Sequence, residues 1–295
     1  MSTPRTLQDA IVFFSDIDRC FEYTKQLRWP DGKVSCPRCE SYEHSFISTR
    51  KLWFCKGCKK QFTLKVGTVF EDSPLTLDKW LCALWMLTNC RNGVSSYEVS
   101  RTIGVTQRSA WFMLHRLRML MHEGDDTPLS GEIEMDETFV GGKLKNMHKS
   151  KRPKINTGFQ GGKGKTIVVG MLERKGRVKA HVVEDRTREV LHSLAHTSIA
   201  PGSTVMTDEH KPYCGMNFTH EVINHVEGYV RGNIHTNGIE SFWSLLKRAL
   251  GGTYISVEPF HLFRYIDEQA FRFNNRKDCT DRDSSLPPAI ALGSA

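Results

Sequence analysis

Apolar positions along the chain keep two different periods, and the change between them marks two regions. From Leu75 to Met121 the period is helical. Leu77, Trp80, Leu81, Leu84, Trp85 and Leu87 form one stripe, which predicts a helix ended by Asn92-Gly93. Ser95 to Ile103 reads as a short second helix, Gly104 as a turn, and Thr106 as the cap of a third helix running through Arg118. Beyond Glu132 the period falls to two. Ile133, Met135 and Phe139 alternate with polar residues, as in a strand that Gly141-Gly142 closes. Thr166–Leu172 and Val178–Val183 predict a hairpin around Arg174-Lys175-Gly176-Arg177. Arg188–His196 reads as a helix, and Ser203–Asp208 and Glu221–His225 as short strands. Ile239, Phe242, Trp243, Leu246 and Leu250 then restore helical spacing, with Gly251-Gly252 as the stop. A last helix from Glu258 to Asn275 points Phe260, Phe263, Ile266, Ala270 and Phe273 to the core.

Three acids stand at informative places on these elements. Glu240 opens the late helix, and Lys247 follows it by seven residues. That is two turns, so both face one way, about 10 Å apart along the axis. Asn237 and Glu240 also have the spacing of a capping box, in which the carboxylate only returns to a backbone N–H. Asp136 lies within the first strand of the second region, and Asp208 ends a later one. Such oxygen donors suit Mg²⁺ or Mn²⁺, and two ions about 4 Å apart suit in-line phosphoryl displacement. A single carboxylate is usually a solvated surface group, so only the strand, strand and helix placement together is informative.

Four of the nine cysteines form two CxxC pairs, Cys36/Cys39 and Cys55/Cys58, with fifteen residues between Cys39 and Cys55. This is the spacing of a four-cysteine zinc site, with Gly57 expected to supply the permissive backbone of a tight knuckle. Leu52–Phe54 and Gln61–Leu64 flank it as strands, which makes a zinc ribbon. Disulfides or a redox pair are the other readings; no export signal and no βαβ context favour them. Arg38, Arg50, Lys51, Lys56, Lys59 and Lys60 suit the ribbon to DNA, and a protein partner is nearly as well supported. Cys20, Cys82, Cys90, Cys214 and Cys279 lack ligand spacing and read as core thiols.

The helices around Gly104 read as a helix-turn-helix, with an ordinary helical hairpin as the alternative. Gln107 and Arg108 would reach base edges from the start of the second helix, and Arg116 and Arg118 would meet phosphate. Between Lys143 and Lys165 stand eight basic residues (Lys143, Lys145, Lys149, Lys151, Arg152, Lys154, Lys163 and Lys165) and no acid. This predicts a basic loop that orders on DNA, or a merely solvated insertion. Gly164-Lys165-Thr166 is not a nucleotide-binding loop, because Phe159 stands where its first glycine is required. His210, His225 and His235 lie near the acids in sequence and read as scaffold rather than ligands.

The segments Met135–Lys143, Thr207-Asp208 and Thr236–Arg248 resemble the DDE transposases of bacterial insertion sequences. The similar group is the zinc-ribbon one (ISXO-like), related to the Merlin elements. The resemblance runs from about Phe14 to Arg282. It implies an α/β catalytic domain of ribonuclease H-like fold, a mixed sheet flanked by helices, preceded by a small zinc ribbon and a helix-turn-helix region. It implies that Asp136, Asp208 and Glu240 hold two Mg²⁺ or Mn²⁺ ions and that Lys247 holds a nearby phosphate. The expected organisation is a helical segment over 1–30, the ribbon over 31–66, the helix-turn-helix over 67–128, the catalytic domain over 129–280 with its basic loop at 143–165, and a tail over 281–295. The implied activity is metal-dependent cleavage at element ends and strand transfer into target DNA. Partners would be terminal inverted repeats, target DNA and further copies of the chain. Gln107, Arg108, Arg116, Lys143, Lys145, Lys151, Arg152, Lys247 and Arg248 would contact the DNA.

Gross composition agrees. The chain has 295 residues, a net charge of +8 and a pI near 9.0, a surplus expected of a protein that holds phosphates. No apolar run approaches the roughly 18–20 residues that cross a membrane. Ile11-Val12-Phe13-Phe14 is followed by Asp16 and Asp18 and is no signal peptide, so a soluble, cytoplasmic protein without a nucleotide cofactor is expected. Two rivals keep part of the pattern: a DNA-binding regulator with an inactive nuclease domain, and a nuclease or resolvase that cuts without joining.

Overall fold

A computed structural model describes residues 4–122, 127–142, 164–223 and 235–276, in two compact units that part after His122. In the first unit, Thr6 and Asp9 form a capping box that opens α1 (Leu7–Phe14), and Asp16 caps α2 (Ile17–Arg28). Three short strands follow, β1 (His44–Ile47), β2 (Leu52–Cys55) and β3 (Gln61–Thr63), in one antiparallel sheet of order β1-β2-β3. Trp53 is the hub of this ribbon. Phe62 stacks on it at 5.6 Å, while α2 adds Phe21 at 5.7 Å and the residue after its end adds Trp29 at 5.6 Å. Three helices complete the unit: α3 (Leu77–Asn89), α4 (Ser96–Ile103) and α5 (Gln107–Met119). Ser95 and Glu98 form a capping box for α4. Gly104, at φ 63°, ends it, and the Thr106 hydroxyl caps α5 as its position in the sequence predicts.

The second unit is built on a five-stranded mixed sheet of β4 (Glu132–Val140), β5 (Thr166–Glu173), β6 (Val178–Val183), β7 (Thr204–Asp208) and β8 (Thr219–Ile223). The order is β6-β5-β4-β7-β8. The β6-β5-β4 half is antiparallel, and β4-β7-β8 is parallel. Helices cover both faces. On one face, α6 (Arg188–Ser198) sets Leu191 and Ala195 against Ile133, Met135, Val169, Met171 and Val205. On the other, α7 (Asn237–Arg248) and α8 (Leu262–Asn274) set Ile239, Phe242, Trp243, Leu246, Tyr265 and Ile266 against Val168, Leu172 and Val178. The mixed sheet flanked by helices is the architecture that the resemblance implies.

Several expectations need correction. The polar residues that alternate along β4 are not solvated: Glu134 and Thr138 are buried like Ile133 and Met135, because this central strand is covered on both sides. Gly251-Gly252 does not stop α7. The helix widens into a π-helical stretch over Ala249–Tyr254, and the chain turns off at Ile255, at φ 62°. The last helix begins at Leu262 after a 3₁₀ turn at Pro259–His261, so Phe260 (79 % exposed) and Phe263 face outward while Leu262 and Tyr265 face the core. Arg118 is fully buried in the first unit and cannot meet phosphate. Cys20 is buried, as a core thiol should be, but Cys214 is exposed. The basic residues from Lys143 to Lys163, with His225, Cys279 and the tail, lie outside the described residues. Among the described residues, no helix is long and apolar enough to cross a membrane.

Candidate active site

Strand register brings the two aspartates together. The parallel ladder pairs Glu132 with Thr204, Ile133 with Val205 and Glu134 with Met206. Asp136 and Asp208 lie two residues further along these neighbouring strands, beyond the last paired residues. Side chains alternate between faces along a strand. Met135 and Val205 pack on the α6 side, so Asp136 and Asp208 both project to the α7 side. Their proximity registers in the electrostatics. Burial, then the Glu137 charge, and in lesser part Asp208, push the Asp136 carboxyl up to about 7. The Asp208 carboxylate accepts the His210 backbone N–H at 3.1 Å.

The third acid arrives on α7, and the contacts that seat this helix were not visible in the sequence. The buried Glu134 accepts the Ile239 backbone N–H at 3.0 Å, so a strand carboxylate caps the helix from outside and sits where the helix dipole favours negative charge. Arg174 compensates Glu134. Its Nε donates at 3.1 Å, while its other nitrogens reach Glu132 and the His235 carbonyl, each at 2.9 Å. One turn on from the cap, the Trp243 indole N–H donates to Asp136 Oδ2 at 3.0 Å. The ring lies over Gly170, the β5 partner of Asp136; a Cβ there would fall 2.6 Å from the indole. Glu240 lies in the first turn of α7 and is half-buried. The alternative reading of Asn237 and Glu240 as a capping box is not realised. Thr236 is the N-cap residue, and its hydroxyl donates to Glu240 Oε1 at 3.3 Å. Lys247 and Arg248 are exposed in the last turn.

Two buried glutamates thus flank Asp136 on opposite faces of β4. Glu137, toward α6, accepts from the Tyr213 hydroxyl and from Arg186 at 3.0 Å, with His210 Nδ1 at 3.5 Å. His235 Nδ1 stands 3.3 Å from Glu134. Both histidines thus stand near a glutamate that neighbours the site, but neither buried Nδ1 makes a hydrogen bond. A spacing rule for ligands could not find Glu134 or Glu137. The one available signal was the run of acids Glu132, Glu134, Asp136 and Glu137 in a strand that also carries Ile133 and Met135.

The cysteines are gathered far more tightly. The sulfurs of Cys36, Cys39, Cys55 and Cys58 all lie within 4.8 Å of one another, the one such group among the described residues. Cys36 and Cys58 are 3.7 Å apart, and Cys39 and Cys55 are 3.5 Å apart. Zn–S bonds of about 2.3 Å in a tetrahedron put sulfurs about 3.8 Å apart, whereas a disulfide would need about 2.05 Å. The four thus fit one zinc ion. Gly57 serves by close approach, not by conformation. Its φ is not positive, but a Cβ there would meet Ser41 Cβ at 3.1 Å; the left-handed residues of the knuckles are Glu40 and Lys59. Asp136, Asp208 and Glu240 suit a hard cation by donor type, and the crowded negative charge around Asp136 is what such a cation relieves.

In the first unit, Arg108 is exposed at the start of α5, while Gln107 donates to the Ser96 hydroxyl at 2.9 Å. Arg116 donates to the Glu71 carbonyl at 2.6 Å and is partly buried.

Residues 16–61 match the transposase zinc-ribbon domain family, and residues 128–274 match the ISXO2-like transposase domain family. An uncharacterized protein in transposable element ISH50 of Halobacterium salinarum is 30 % identical over 247 residues, covering 76 % of this chain and 80 % of that protein. Among solved structures, the Mos1 strand transfer complex aligns over 68 % of this chain and 77 % of its own, at 12 % identity and a TM-score of 0.21. A Mos1 transposase paired-end complex with left transposon end aligns over 69 % and 78 %, at 11 % identity and a TM-score of 0.20. Scores this low bear on neither fold nor function.

Proposed function

The chain belongs to the ISXO2-like transposase family with its zinc-ribbon domain, and on that premise we propose that it cuts and joins DNA at Asp136, Asp208 and Glu240. The observation that supports the proposal is the parallel pairing of the two strands that carry Asp136 and Asp208, with α7, which bears Glu240, packed on the face to which both project. The three carboxylates would hold two Mg²⁺ or Mn²⁺ ions, which supply Lewis-acid activation of the attacking oxygen and stabilise charge on the leaving one. Water attacks the phosphodiester at the element end; the bond to the 3′ oxygen breaks, and that oxygen leaves as a hydroxyl. The 3′-OH then attacks a target phosphodiester and displaces a second 3′ oxygen, joining element to target. Lys247, exposed two turns after Glu240, holds a phosphate as a point charge.

The sheet domain is of ribonuclease H-like type, with a mixed sheet between helices as support. The α4–Gly104–α5 pair acts as a helix-turn-helix, with Arg108 the residue best exposed to reach base edges. The basic residues Lys143, Lys145, Lys151 and Arg152, with Arg248 on α7, add phosphate contacts. Two element ends have to be bridged, so the working species is a homo-oligomer on DNA, in the cytoplasm.

The test is Mg²⁺-dependent cleavage and joining of labelled DNA carrying the inverted repeats that flank the gene, with Asp208→Ala and Glu240→Gln beside the wild type. Products from the wild type that disappear in both variants are expected. Binding without cleavage by a folded, zinc-loaded protein would turn the assignment to a DNA-binding regulator. Cutting without joining would turn it to a nuclease, and cutting that survives both substitutions would displace the site.

A further inference from the structure

The geometry points to Trp243 as the residue that positions the Asp136 carboxylate and thereby sets the affinity of the acid site for its cations. This rests on the metal-holding role proposed above for Asp136, Asp208 and Glu240. The indole N–H donates to Asp136 Oδ2 at 3.0 Å, and the side chain is almost wholly buried. The indole occupies a built seat. Gly170 pairs with Asp136 across the strands, and only its missing side chain lets the ring lie there: a Cβ would fall 2.6 and 2.7 Å from two ring carbons. The helix that carries the ring is pinned one turn earlier by the bond from the Ile239 N–H to Glu134. Ring, seat and anchor therefore lie on three elements, α7, β5 and β4, and the donor cannot drift without moving α7.

A buried indole N–H needs some acceptor, so a hydrogen bond alone would fit a core residue as well. What distinguishes Trp243 is the acceptor it has, a carboxylate that stands beside Asp208. Holding one oxygen fixes the carboxylate rotamer, and outer partners of metal ligands typically contribute about 10- to 100-fold to metal affinity. Glu240 lies three residues before Trp243 on α7, so one helix both presents an acid and orients another on β4.

The experiment is Mn²⁺ titration of the full-length, zinc-loaded protein, with unbound Mn²⁺ read by electron paramagnetic resonance. Trp243→Phe keeps an aromatic ring on Gly170 and removes the donor. Its Kd for Mn²⁺ is expected to rise about 10-fold or more, with zinc content and far-ultraviolet circular dichroism unchanged, while Asp208→Ala loses the binding. Wild-type affinity in a folded Trp243→Phe protein would overturn the inference. A wild type that binds no Mn²⁺ at all is a separate result: the acids are then no metal site, and Trp243 has nothing to position. If Trp243→Phe does not fold, indole ¹⁵N–¹H spectra of the wild type decide. One of six tryptophan signals is expected to shift on Mg²⁺ addition, and six unmoved signals would overturn the inference.

Discussion

The four cysteines and the three acids are both sets of candidate metal ligands, but the fold assembles them in opposite ways. Each pair of cysteines sits on a knuckle three residues apart, and the ribbon needs only to bring two knuckles together, with all four sulfurs within 4.8 Å. The acids come from residues 136, 208 and 240, and no local turn relates them. Asp136 and Asp208 stand on neighbouring parallel strands, and Glu240 on a helix pinned to one of those strands by Glu134 and Trp243; among the described residues the three do not form a ligand group as close as that of the cysteines. The first site is a property of a short segment, and the second a property of the whole sheet. Damage to the first should be local and severe. Damage to the second should arise from residues that are not themselves ligands.

Removing the zinc tests the first half of that contrast and should have the largest effect. Structural zinc sites contribute on the order of 10 kcal/mol to folding, so a strong chelator or Cys55→Ser should unfold the ribbon. The readout is loss of the near-ultraviolet signal from the stacked Trp53 and Phe62. Next in size is Arg174→Ala, which strands the buried Glu134 carboxylate. Stripping a buried charge of its partner costs about 3–5 kcal/mol, so a clear fall in denaturant midpoint is expected, although Arg174 is no ligand.

The pH dependence isolates Asp136. Its carboxyl is raised above the unfolded value near 3.8, so the cation-free native state binds the extra proton between there and about 7. The stabilising contribution is present below about pH 4 and is lost as pH rises through about 7, to a limit of about 4 kcal/mol. Asp136→Asn should flatten that slope in chemical denaturation, and Mg²⁺ at pH 8 should restore stability to the wild type alone. Gly170→Ala should cost about 1–3 kcal/mol by thermal melting, because the added methyl displaces the indole. Lys247→Ala should leave melting unchanged, since the residue is exposed, and weaken DNA engagement by filter binding. Wild-type binding in that variant would remove Lys247 from the site.

Local chemistry was readable in the sequence, and long-range compensation was not. The CxxC pairs, the Thr106 cap and the β-branched run ending at Asp208 each signal themselves within a few residues, and the structure has all three. The Ser95/Glu98 box is equally local. Glu134 was invisible as a buried group, because its partner Arg174 stands forty residues away and polarity in a strand ordinarily marks a solvated face. The predicted phase holds within the last helix, where Ile266 and Phe273 are buried and Ala270 packs against the core; the exposed Phe260 falls in the 3₁₀ turn before α8, and the exposed Phe263 in the first turn of the helix. The Asn237/Glu240 pattern failed by one residue, since the chain enters α7 at Thr236.

Trp53 has one further consequence, for anyone exchanging parts between related proteins. The ribbon's knuckles end near residue 60, but Phe21 and Trp29, which close over Trp53, belong to α2 and to the residue that follows it. A chimera spliced at residue 31 would carry all four sulfurs and leave their aromatic lid behind on the donor. The portable cassette begins at Asp16, the cap of α2, and a graft that respects that seam should travel as a unit.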